Sequence, residues 1–207
     1  MKKRLHDKKA GIVILAVLFI LSLADVILRA TVFNNVASTA SNYGEVLVTT
    51  VFSLLLIILA VKGKDRAFYI LCGVWLGYFA LEQLFDVPYT ISSFVFMWET
   101  FASLVPMLAL LLRFLGMICI IVIGALLVEY MIDGSIYNKA FNGFCIAAVL
   151  TLTGSAIIDI GACISSGEYV MMLSALNSLS SIIMIFLFTF FAYDSAKMQL
   201  KKTDLSK

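Results

Sequence analysis

The chain has 207 residues, of which 62% are apolar and only 14% charged, with a mean hydropathy of +1.05 and a formal net charge of +2. That composition excludes a soluble globular domain of this length, which could not hide so much apolar surface, and points to a membrane protein. The small positive charge calls for no nucleic-acid partner and no acidic substrate, because it follows from a one-sided placement of Lys and Arg.

Six apolar runs read as membrane-spanning helices, at 11–33, 45–61, 67–85, about 106–128, 141–163 and about 170–193. No alternation of apolar and polar residues with period two appears, which argues against a lipid-facing β-barrel. The expected fold is all-α: a single transmembrane domain over 1–207, a polytopic six-transmembrane-helix bundle.

The first run follows "MKKRLHDKK", which together with the small residues "VASTAS" at 36–41 has the outline of a signal peptide. The run is too long for that and carries Asp25 and Arg29. A retained first helix is expected. The second run carries Thr49, Thr50 and Ser53 toward its start, and the third holds Glu82 near its end.

Between the third and fourth runs lies "DVPYTISSFVFMWETFASLVP". Ile91, Phe94, Val95 and Trp98 recur there at i, i+3, i+4 and i+7, so the segment at about 88–105 is expected to form a short interfacial helix. It reads either as part of an aromatic belt containing Tyr89 and Trp98 or as a flap over an outward-facing site. The fourth run contains Arg113. The fifth aligns Thr151, Ser155 and Asp159 on one face, and the sixth aligns Ser174, Asn177, Ser178 and Ser181.

Every Lys and Arg outside the spans falls in the N-terminal segment, the second connection, the fourth connection or the tail. The remaining two, Arg29 and Arg113, lie inside spans. By the positive-inside rule both termini are cytoplasmic, in a multi-pass protein of the cell (cytoplasmic) membrane. At about 1.5 Å per residue, Asp25 then lies some 5 Å outward of its helix midpoint, and Arg29, Glu82, Arg113 and Asp159 some 7 to 10 Å outward of theirs. The opposite halves, such as "IVILAVLFI", "LLLIILAV" and "MICIIVIGALLV", offer almost nothing that could hydrate an ion. A channel or self-sufficient carrier needs polar groups along its whole path.

Two roles for the polar half follow. Asp25, Arg29, Glu82, Arg113, Asp159, Ser174, Asn177 and Ser178 can line a ligand-binding pocket for a small polar or zwitterionic solute, with Arg suited to a planar carboxylate. Alternatively they only hold helices together in a structural, assembly or regulatory subunit. Asp25 would pair with Arg29 within one turn, and Arg113 with Glu82 or Asp159 between helices. Gly73 and Gly77 in "GVWLG" have the spacing that lets helices approach closely.

Chemistry is limited by what is missing. His6 is the only histidine and precedes the first span, which removes bis-histidine haem ligation, a histidine-rich metal centre and a Ser-His dyad at Ser155. Cys72, Cys119, Cys145 and Cys163 form no C-x-x-C pair and read as small packing residues. No nucleotide loop or dinucleotide fingerprint is present. No enzyme activity, catalytic residue, metal site or cofactor is expected, and any energising partner would be another membrane polypeptide. In size and helix number the layout resembles that of the substrate-binding subunits of energy-coupling-factor importers. Ala16, Ala24 and Ala30 do not keep the every-fourth spacing of that family's first helix, so no membership is assigned.

Overall fold

In the computed structural model, which describes residues 2–32, 40–100, 104–133, 138–167 and 169–204, those residues are helical apart from short turns and contain no strand. Six helices follow in order: α1 (Lys2–Val32), α2 (Ala40–Val61), α3 (Asp65–Thr100), α4 (Leu104–Asp133), α5 (Asn138–Ser166) and α6 (Tyr169–Asp204). Five of them contain apolar stretches long enough to cross a bilayer; the apolar stretch described in α2, Val46–Val61, is shorter. Many large apolar side chains point outward, including Ile20, Ile70, Leu150 and Ile157 at 60% exposure or more. A soluble monomer rarely presents such a surface, and it is consistent with a multi-pass membrane protein.

Helix ends are set by local chemistry. Gly63 adopts a left-handed φ of 68°, and behind it Gly63 N–H donates to Ala60 O (3.3 Å) and Lys64 N–H to Leu59 O (3.1 Å). These two bonds are those of a Schellman cap, which satisfies carbonyls that α2 would otherwise leave open. Gly167 (φ 71°) closes α5 with one bond to Cys163 O at 2.9 Å. Only Gly takes this backbone without strain.

Each helix packs on its successor in the chain, and α6 returns to pack on α1, closing a ring of six. α6 also reaches α3 and α4 across the ring. Connections of two to seven residues force neighbours to run antiparallel, so both chain ends emerge at one end of the bundle.

That terminal end is dry. Its core contains Leu15, Leu18, Leu56, Trp75, Leu76, Ile123, Leu187 and Phe188, all at most 2% exposed. Aromatic rings tie α2 to α3 and α3 to α6: Phe52 stacks on Trp75 with centroids 5.8 Å apart, and Tyr69–Phe191 and Phe79–Phe188 pack at 6.0 and 6.5 Å. Apolar burial gains little against lipid, so close contact carries this packing. Glycine supplies the space: a Cβ at Gly124 would sit 2.6 Å from the Ala80 Cβ, and one at Gly116 2.7 Å from Leu152. Of the expected Gly73–Gly77 pair, a Cβ at Gly73 would lie 3.2 Å from the Phe191 ring, while one at Gly77 would meet nothing within 4 Å. Gly77 is therefore not a close-approach position.

The segment expected as a separate interfacial helix is the continuation of α3, which runs through Pro88 to Thr100. Its residues 101–103, the first-helix end at Phe33 and residues 36–39 lie outside the described residues, as does the Trp98 side chain. Pro88 removes the donor that would bond Leu84 O, while the hydroxyls of Thr90, Ser92 and Ser93 bond Asp86 O, Pro88 O and Tyr89 O at 2.9–3.0 Å.

Gly124→Leu forces α3 and α4 apart, because Ala80 has no side-chain torsion to yield. We expect a loss of about 1–3 kcal/mol, read as a lower unfolding midpoint in detergent, whereas Gly77→Ala leaves the midpoint unchanged or slightly raised.

Candidate functional site

The charged residues lie at the end of the bundle away from the termini, but they do not form one continuous group. The structure divides them between two places.

The first is built by α1, α2 and α6. Asp25, buried on α1, accepts from Arg29 one turn later, Nε to Oδ1 at 3.0 Å and Nη2 to Oδ2 at 3.3 Å. This fork is the intrahelical pair expected from the i, i+4 spacing, with the acid on the N-terminal side. With Ser22, Thr49, Asn177 and Ser180 it lines a cavity of about 40 Å³. That volume accommodates a water or two and no larger solute.

The second is built by α3, α4, α5 and α6, around a cavity of about 330 Å³. Arg113 on α4 reaches across to α5 and donates from Nη2 to Asp159 Oδ2 at 2.7 Å. The same nitrogen donates to Ser174 Oγ on α6. Ser155, one turn before Asp159, donates to Oδ2 at 3.4 Å. Asp159 is nearly enclosed, with 6% of its side chain exposed, and Arg113 is more open at 27%. The Arg113 Nε is buried without a hydrogen-bond partner among the described residues.

Around these polar groups the walls are mixed. α3 contributes Tyr89, Thr90 and Ser93; α4 contributes Val105, Pro106, Ala109 and Leu110; α5 contributes Ile158 and Ala162. The α3 extension thus forms one side of the cavity. About 330 Å³ falls at the lower end of the range of small-molecule sites.

Of the expected site residues, Arg113, Asp159 and Ser174 meet here, and Asp25, Arg29 and Asn177 meet at the smaller cavity. Glu82 is half-buried on α3 and lines neither. Ser178 is buried, its hydroxyl unpartnered among the described residues, and it lines neither cavity. The choice left open for Arg113 is settled in favour of Asp159. Several hydroxyls that seemed available turn back on their own helices: Thr50 to Val46 O, Ser53 to Thr50 O and Thr151 to Ala147 O, at 2.7–2.9 Å. They satisfy backbone, not a solute.

Tyr89, Thr90, Ser93 and Ser155 were not anticipated as site residues. A signal existed: Gln83 and Thr90 stand seven residues apart and are both buried, so α3 keeps one inward face through Pro88. Among the described residues no three His, Cys, Asp or Glu side chains converge.

Removing one partner of the Arg113–Asp159 pair strands a charge in low dielectric. Arg113→Ala should therefore cost about 3–5 kcal/mol of stability, and the double variant Arg113→Met/Asp159→Leu should recover most of it, measured by reversible unfolding in mixed micelles. Against known proteins the chain matches no family model, no curated sequence and no solved structure, so its role is read from this geometry.

Proposed function

We propose that this chain is a non-enzymatic membrane protein that captures a small polar solute in the α3–α6 cavity and serves as a solute-binding or transport-associated subunit. The cavity itself carries this reading: a space of about 330 Å³, too large for packing slack, walled by an ion pair and hydroxyls from four helices. Six spans in the cell membrane, both termini in the cytoplasm and the cavity toward the outer side complete the proposal. α2 supports the sixth span by its whole length of 22 residues, about 33 Å of helix. The dry terminal end supports capture without passage, with a separate membrane polypeptide supplying any energy.

A second reading is favoured by one observation: the Asp25–Arg29 and Arg113–Asp159 pairs already satisfy one another. On that reading the protein is an assembly or regulatory subunit, and the Arg113–Asp159 pair fixes the register of α4 against α5.

Native mass spectrometry of the gently extracted protein separates the two. A stoichiometric non-lipid solute, absent from a folded Arg113→Lys variant, is expected for a binding subunit. Lipid alone, or a tightly held protein partner with no solute, would favour the assembly role. Orientation has its own check: Cys163, half-buried near the end of α5 away from the termini, should react in intact cells with a membrane-impermeant thiol reagent, and buried Cys72 should not. Labelling only after lysis would invert the topology.

A further inference from the structure

We propose that the α3–α6 cavity takes a small zwitterion bearing one compact apolar group, the chemistry of an amino acid with an aromatic or branched aliphatic side chain. This rests on the reading of the cavity as a solute site and adds the class of solute.

Charge balance comes first. Arg113 and Asp159 neutralise each other, so a ligand with net charge would leave one charge uncompensated in a poorly solvated space. A zwitterion adds no net charge yet presents both signs. The pair has a free valence for each. Both hydrogen bonds from Arg113 leave from Nη2, and 27% of its side chain stays exposed. Both bonds to the Asp159 carboxylate, from Arg113 and Ser155, end on Oδ2, leaving Oδ1 to accept. A carboxylate on the guanidinium and an ammonium on Oδ1 complete an alternating cluster of four charges.

The remaining wall sets the rest of the ligand. Val105, Ala109, Leu110, Ile158 and Ala162 offer no polar side chain. A solute hydrophilic throughout would lose hydration against them, whereas one apolar group would gain by burial. The cavity, at about 330 Å³, is roughly twice the engineered cavity of about 150 Å³ that takes benzene. That leaves room for one ring or branched chain beside a charged head.

Four probes test this on the purified full chain in nanodiscs of phosphatidylglycerol, by calorimetry and thermal shift: phenylalanine, glycine, 3-phenylpropionate and phenethylamine. Phenylalanine should bind saturably and at least roughly tenfold tighter than glycine, the ratio expected for burying a compact apolar side chain. The two singly charged analogues should be weaker than phenylalanine by a similar factor. Ala162→Leu, which narrows the apolar wall and leaves the charges alone, should weaken phenylalanine about tenfold or more while preserving the unliganded melting temperature. Val105→Phe repeats the test from an exposed position. Equal binding of glycine, or of either singly charged analogue, would overturn the inference, as would unchanged affinity in both wall variants. A zwitterionic phospholipid retained one-to-one and not displaced by phenylalanine would also overturn it, assigning the site to a lipid headgroup. A different co-purifying solute displaced by none of the probes would overturn the zwitterion class and leave the capture role standing; no solute of any kind would remove both.

Discussion

A guanidinium can stand among apolar helices only if its charge is answered by another helix or by water, and Arg113 is answered by Asp159 at 2.7 Å. This contact fixes more than a pair of side chains. It sets α4 against α5 in an antiparallel register that Gly116 against Leu152 and Gly154 against Leu112 continue along the same seam. Ser174, on the same Arg113 nitrogen, brings in α6. The Asp25–Arg29 pair lies within one helix and imposes no such register. One interhelical ion pair therefore joins three helices at the end where packing is loosest.

The bundle is two materials stacked end to end. Toward the termini, Trp75, Phe188 and the surrounding aliphatic side chains pack into a buried apolar core. Toward the other end, ionic and hydroxyl groups from all the helices around the larger cavity hold it open. The transition falls where the polar groups stop: Ser22, Ser53 and Ser181 are the last buried hydroxyls on α1, α2 and α6 before the aliphatic and aromatic layer. Hydroxyls near this boundary mostly serve their own backbone, Ser22 bonding Phe19 O at 3.0 Å and Ser53 bonding Thr50 O at 2.9 Å. Beside the ion pair, Ser155 and Ser174 act between side chains.

Features that depend on neighbours along the chain were legible in the sequence. The apolar runs marked the helices, the i, i+4 spacing marked the Asp25–Arg29 fork, and the absence of polar residues marked the dry end. Features that depend on how helices meet were not. Arg113 had two acids within plausible reach, and only the packing of α4 on α5 chose between Asp159 and Glu82. Gly73 and Gly77 share a motif, yet only Gly73 faces a ring. The segment after Phe85 reads as a separate short helix, yet α3 continues through Pro88 to Thr100. The larger cavity was hidden for the same reason, since one of its sides is the segment expected as a separate interfacial helix.

The sealed end constrains what the cavity can do on the proposed reading. Passage toward the termini would require parting the Phe52–Trp75 and Phe79–Phe188 contacts together with the Gly124–Ala80 approach, which lie on three helix seams. Packed interfaces of this kind switch between discrete arrangements and do not stretch. A solute bound at Arg113 and Asp159 touches α3 through α6, but it makes no contact with the aromatic layer and so supplies little free energy to open it. A ligand shifts an equilibrium only by its differential affinity for the two states. Release on the far side would therefore need work delivered to the helices from outside this chain, which is why capture and translocation are best assigned to different polypeptides.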